Sequence, residues 1–242
     1  MFSLYLKELK SYLSSLLGYI FIAVFLVVAG LFLWIFPNIN NVIFSGYADL
    51  QGFFNISKFL FLFLVPAITM RSFAEEKRLG TMELLFTKPL SDGQIVLAKF
   101  LSCFTLLLIA ILPTFVYVVS VYNLGQIPGN IDMGSTWGSY LGLILLGATF
   151  ISIGVFSSSI TSNQIVAFVL AALFCFILYF GFEYISFEAL GSFGYFVKTL
   201  GIDHHYSSIS KGVIDLRDLV YFFSVMVIFL VGTRVVLMSR KW

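Results

Sequence analysis

Charge is scarce in this chain. Lys, Arg, Asp and Glu make up 11% of its 242 residues, against roughly 25% in a soluble domain. The shortage excludes an ordinary water-facing globule, and a net charge of +2 offers no basic patch for nucleic acid. Cysteine is nearly absent. Cys103 and Cys175 both lie inside apolar runs, so neither can staple an outer loop and no disulfide framework is expected. Both read as packing residues. No G-x-x-x-x-G-K-[ST] phosphate loop occurs, so ATP hydrolysis is not expected in the chain itself. No His, Asp or Glu cluster falls inside the apolar runs, which argues against an intramembrane enzyme and leaves catalytic residues at none. No loop is long enough to hold a separate soluble domain. The first apolar run is too long for a signal h-region and ends without a small-x-small site, so a retained span is expected there.

What the chain has in abundance is apolar length: 60% of its residues are hydrophobic. A helix needs about 20 apolar residues to cross the hydrocarbon core, and a central charge costs at least ~2.5 kcal/mol. Charge-free runs predict spans at 16–36, 100–121, 137–157, 165–182 and from 219 to about 238. A shorter run, 59–70, makes a second span only if its charged ends flank it, with Lys58 snorkelling outward. Pro66 and Pro113 fall inside spans two and three and should bend them. The expected fold is all-α and membrane-integral: residues 1–15 form an interfacial helix and residues 16–242 a single six-span domain.

Six spans place both termini on one side. That side carries Lys7, Lys10, Arg71, Lys77, Arg78, Lys88, Lys99, Arg234, Arg240 and Lys241. The opposite side has Lys58, Lys198, Lys211 and Arg217. The positive-inside rule therefore predicts cytoplasmic termini. Trp34, Tyr117, Tyr122 and Trp137 then fall towards an outer aromatic belt. Within residues 1–15, Phe2, Tyr5, Leu6, Leu9, Tyr12 and Leu13 share one helical face, opposite Ser3, Lys7, Lys10, Ser11 and Ser14, with Leu4 the exception. Such a helix suits a membrane surface.

Residues 71–99 hold the densest charge. Gly80 should break the helix leaving span two, and Thr81 can cap a new one. Met82, Leu85 and Phe86 then project together as an apolar knob. Lys88 before Pro89 stops the helix, and Ser91 and Gln94 have capping-box spacing. A positive-inside loop explains the charges but not the knob, which is what a helix-in-groove contact with a soluble partner requires.

These residues resemble the first cytoplasmic loop of ABC-2 type transporter permeases. Arg78, Gly80, Thr81, Glu83, Leu84, Leu85, Thr87, Pro89, Leu90 and Ser91 match that family's R-x-G-T-x-E-L-L-x-T-x-P-[LIV]-S segment. Ile95, Val96, Leu97 and Lys99 match its entry into span three. Residues 154–167 are similar to its turn between spans four and five. Residues 18–20, 31–34, 46–51 and 61–78 resemble the gliding-motility permease subunit of the GldF type.

The resemblance implies a coupling helix that docks on a separate ATPase. Met82, Leu85 and Phe86 would be its knob, Arg78 and Glu83 its ion-pair partners, and Glu75 and Glu76 would lie at a cytoplasmic gate. ATP and Mg would bind the partner ATPase, leaving no cofactor in this chain. A second permease copy, or a related membrane subunit with a periplasmic region, would complete the transporter. The setting implied is the bacterial inner membrane, in gliding or secretion. A non-transporting scaffold stays open beside this reading. A channel or secondary transporter fits less well, since it would place ionisable residues at mid-bilayer.

Other polar features are weighed more simply. Residues 187–218 suit short outer re-entrant helices. Glu183 is a candidate contact to substrate or helix. Asp203, His204 and His205 read as a polar turn, because adjacent histidines diverge and no distant ligand set completes a metal site. Residues 157–164 read as a polar turn in which Thr161 or Ser162 caps span five.

Overall fold

Hydrophobic length sets the architecture. Six helical segments are long and apolar enough to cross a membrane: Leu16–Trp34, Gln51–Arg78, Asp92–Leu124, Met133–Ile160, Gln164–Phe187 and Leu216–Met238. Each contains or closely overlaps the corresponding charge-free run. The computed structural model describes residues 1–87, 89–125, 129–188 and 192–239, and no strand occurs among them. Lys88, Arg240 and Lys241 lie outside the described residues.

Helix α1 (Phe2–Leu13) precedes α2 (Leu16–Gly30) and the short α3 (Val42–Ser45). The second span is α4 (Gln51–Thr69) continued by α5 (Arg71–Arg78), after which comes α6 (Met82–Phe86). The third is α7 (Asp92–Ile111) joined to α8 (Phe115–Leu124) through a tight turn, Leu112–Thr114, that contains Pro113. Helices α9 (Met133–Ile160) and α10 (Gln164–Phe176) begin spans four and five. Then α11 (Phe182–Glu188), α12 (Ser192–Lys198) and α13 (Ile202–Ile209) lead to the last span, α14 (Leu216–Met238). Wider π-turns follow α2 at Leu31–Ile35 and α10 at Ile177–Gly181. Alternating spans put both termini at one end of the bundle, called the near end below, and α12 and α13 at the far end.

The core is built on α9. Helices α4, α7, α10, α13 and α14 all lean on it, and 83% of its most apolar stretch is buried. Between helices in lipid the attraction comes from close packing, so small residues mark the contacts. Gly154 shows the reason: a Cβ there would run into the Thr69 side chain of α4. Gly154→Ala is expected to cost about 1–3 kcal/mol by overpacking, read as a lowered unfolding midpoint in detergent. An unchanged midpoint would refute the tight contact.

Several expectations are corrected by packing partners. Helix α1 does not only lie flat: it packs along α7, and Leu4 and Tyr12 are buried there. Leu4, off the apolar stripe, therefore belongs to a second face turned to the protein. Asp203, His204 and His205 lie in a helix and not a turn, because Ile202, Tyr206 and Ile209 form an i, i+4, i+7 stripe that is buried. Asn163, not Thr161 or Ser162, caps α10 by accepting from the Ile165 N–H at 2.9 Å. Tyr117 joins Phe53, Phe115 and Tyr140 in an aromatic cluster, at the edge of which Trp137 stays 56% exposed. Lys58 does not snorkel outward; its ammonium sits 4.9 Å over the Tyr206 ring.

Candidate functional site

The near-end loop begins with a break at Met70 between α4 and α5. Ser158 of α9 fastens it. The Ser158 Oγ accepts from the Phe73 and Ala74 N–H groups at 2.9 and 3.0 Å and donates to the Met70 carbonyl at 2.9 Å. Lys77 donates to the Ser159 carbonyl. Ser157, Ser158 and Ser159 are buried in α9, not part of a solvated turn, and the last two grip α5.

Gly80 ends α5 with φ of +68°, a left-handed conformation that only glycine adopts without cost. The Thr81 N–H reaches the Glu76 carbonyl at 3.0 Å and the Gly80 N–H reaches that of Lys77 at 3.3 Å, the paired bonds of a Schellman close. The Thr81 hydroxyl donates back to the Glu76 carbonyl at 3.5 Å and makes no cap on α6. Its capping role is thus corrected: the side chain completes the helix behind it. Ser91 and Gln94 do form the capping box that starts α7.

The apolar residues of α6 turn inward. Met82 is 5% and Leu85 4% exposed, both packed in the core, so these two do not project as a knob. In the free subunit the bundle is the nearest apolar surface, and burying them there removes the liability of leaving them in water. The Phe86 side chain lies outside the described side chains. What the loop presents outward is Arg78, Leu79, Gly80, Thr81, Glu83 and Thr87, all exposed, with Leu79 61% exposed.

Behind the loop is a buried charge cluster that the sequence reading missed. Lys99, 1% exposed, pairs with Glu76 at 3.0 Å and Glu8 at 3.5 Å and lies 5.1 Å from the Phe73 ring centroid. Arg71 and Glu75 pair at 2.7 Å. Beside them Tyr12 and Ser72 hydroxyls meet at 3.2 Å, and the Cys103 thiol donates to Tyr12 at 3.4 Å. Burial, reinforced by Cys103, pushes the Tyr12 hydroxyl well above its ordinary value. Glu75 and Glu76 therefore line a cleft of about 580 Å³ bounded by α1, α5 and the start of α7. The helical spacing of Glu76 (α5), Glu8 (α1) and Lys99 (α7) carried no signal that three elements would meet.

At the far end, Glu183 is exposed and shares a cleft of about 600 Å³ with Lys198, Asp203, His204 and Lys211. His205 is fully engaged: Nδ1 meets Asp218 at 2.7 Å, Nε2 meets the Thr199 carbonyl at 2.8 Å, and its ring stacks on Tyr221 at 3.9 Å. Neither nitrogen is left for a metal. Burial, then the neighbouring charges of His205 and Lys198, hold His204 below its ordinary value.

A six-span helical bundle with a structured loop hooked to its near end is a multi-pass membrane protein. The chain belongs to the ABC-2 family transporter proteins, whose family model matches residues 38–201. That stretch takes in the whole near-end loop and the first four helices of the core. No curated protein matches the chain. Membership makes this the membrane, or permease, part of an ABC transporter and implies an ABC ATPase as its partner.

Proposed function

We propose that the chain is a non-catalytic permease subunit that couples ATP hydrolysis on a separate ATPase to transport or mechanical work across the bacterial inner membrane. ATP and Mg would reside on that ATPase. Its near end would face the cytoplasm, as the distribution of Lys and Arg supports. The observation that carries this reading is the construction of the loop. Gly80 and the capping box at Ser91 bracket a short helix, and Ser158 ties the segment before it to the central helix. A push on the loop would therefore reach α9 through α5.

The docking face of this proposal differs from a simple apolar knob. Arg78, Leu79, Gly80, Thr81 and Glu83 would make first contact. Met82 and Leu85 would hold α6 to the bundle, and Phe86 remains a candidate anchor. Glu75 and Glu76 would act at the cytoplasmic cleft. A second permease copy or a related membrane subunit would complete the path, and gliding or secretion remains the proposed setting on the resemblance of residues 61–78.

The test is co-purification with candidate ATPases after Leu79→Glu or Glu83→Arg. A charge placed at Leu79, or reversed at Glu83, should weaken association about tenfold, or ~1.4 kcal/mol, with the unfolding midpoint unchanged. Undiminished association by both variants would overturn the docking face.

A further inference from the structure

The stretch between the first and second spans has its polarity inverted. No charged residue occurs between Lys10 and Asp49, so the charge-free chain runs well past the end of the first span at Trp34. Ile39, Ile43, Phe44 and Tyr47 are each more than two-thirds exposed. The asparagines among them face the other way: Asn41 is buried, and Asn38 and Asn40 are half-buried. A loop in water would turn its amides out and its large apolar groups in.

The amides satisfy the loop's own backbone. The Nδ2 groups of Asn38 and Asn41 donate to the Phe36 carbonyl at 2.8 and 3.0 Å. Asn38 Oδ1 accepts from the Asn40 N–H at 2.8 Å. Asn41 Oδ1 accepts from the Ile43 and Phe44 N–H groups at 2.9 and 3.0 Å and so caps α3. The Ser45 hydroxyl donates to the Val42 carbonyl at 3.2 Å. The hydrocarbon core admits no lipid-facing irregular backbone. The headgroup level is where such a loop fits, because water is sparse there and polar groups satisfied from within lose least.

The position of the loop agrees. It lies against the bundle: Ile43 and Tyr47 share a cleft of about 390 Å³ with Val121 and Leu124 at the end of α8. Ile35 and Phe36, which lead into it, and Leu124 are exposed in the same way. The patch therefore continues the apolar surface that spans one and three turn outward.

We propose that residues 36–47 form an interfacial anchor, in which Ile39, Ile43, Phe44 and Tyr47 insert into the far leaflet of the bilayer at the boundary between headgroups and acyl chains. Tyr47 suits that boundary, since its ring is apolar and its hydroxyl polar. Asp49, exposed, marks the return of the chain to water. This inference goes beyond the ATPase-coupled reading and does not depend on it, since neither an ATPase nor a second subunit takes part.

The test reads depth directly. Cys103 and Cys175 are buried, so a thiol-reactive nitroxide reports on an introduced cysteine alone. Phe44→Cys and Tyr47→Cys are labelled in the full chain, reconstituted in vesicles of phosphatidylethanolamine and phosphatidylglycerol. Accessibility to oxygen, which concentrates in lipid, is compared with accessibility to a water-soluble nickel chelate. Val119→Cys in span three and Lys211→Cys at the far end, both at exposed positions, give the lipid and water references. Both labels should lie about 5–10 Å inside the headgroup boundary. Nickel accessibility equal to that at Lys211 would overturn the anchor. Exclusion of both reagents would also overturn it, because protein and not lipid would then cover the patch. Should either variant fail to fold, a lipid carrying a diazirine near its headgroup should mark residues 39–47 of the wild-type chain. Marking of the spans without marking of this loop would overturn the anchor equally.

Discussion

Lys99→Met is expected to destabilise the protein by about 3–5 kcal/mol, the range for removing one partner of a buried ion pair. Lys99 is the cation at the centre of the near-end cluster, with Glu76 and Glu8 on either side. Taking it away leaves Glu76 and Glu8 without the cation they share, and one Glu76 oxygen already lacks a partner. The loss would show as a lower denaturation midpoint in detergent. Adding Glu76→Gln should recover part of it, because one of the two charges left without that cation is then removed. Helix α1 should also become easier to cleave, since Glu8 is one of its ties to α7. A single variant as stable as wild type would show that the cluster contributes nothing.

Ser158→Ala should have the next largest effect. One hydroxyl serves two amide hydrogens and one carbonyl at the α4–α5 break. The break is buried, so groups stripped of their partner are not rescued by water. At ~1 kcal/mol or more for each bond the loss is about 3 kcal/mol. Hydrogen exchange gives a local readout: the Phe73 and Ala74 amides should exchange faster while those in the middle of α9 keep their protection. Unchanged exchange at these two amides would mean that the serine does not hold the break.

Much of this fold could be read from the sequence because lipid imposes a length rule on each helix independently. Spans, the Gly80 break and the Ser91 capping box depend on residues close in the chain. What could not be read depends on distant partners. Lys58 and Lys99 were expected at water, yet each is turned inward by elements far away in sequence, Tyr206 for one and Glu8 for the other. Met82 and Leu85 showed the right spacing for a shared face, but spacing says nothing of whether that face meets a partner or the chain's own core. The serines at 157–159 looked like turn composition; in a helix the same hydroxyls bond back to carbonyls, as Ser157 does to Ile153, or reach across to a neighbour, as Ser158 does. The stripe Ile202, Tyr206, Ile209 has helical spacing, but three residues over two turns do not by themselves separate a short buried helix from a loop.

Helix α9 has almost no surface of its own. Its glycines admit the Thr69 side chain of α4 and the Ile209 carbonyl of α13, so it has little free flank along which to rotate or slide. Other spans, by contrast, show broad faces to the surroundings: only 28%, 22% and 17% of the most apolar stretches of the first, fifth and sixth are buried. If this molecule changes shape, α9 must serve as the stator. Bending would then fall where helical bonding is already interrupted, at Met70 and at the turn through Pro113. The first of those joints is the one that Ser158 holds.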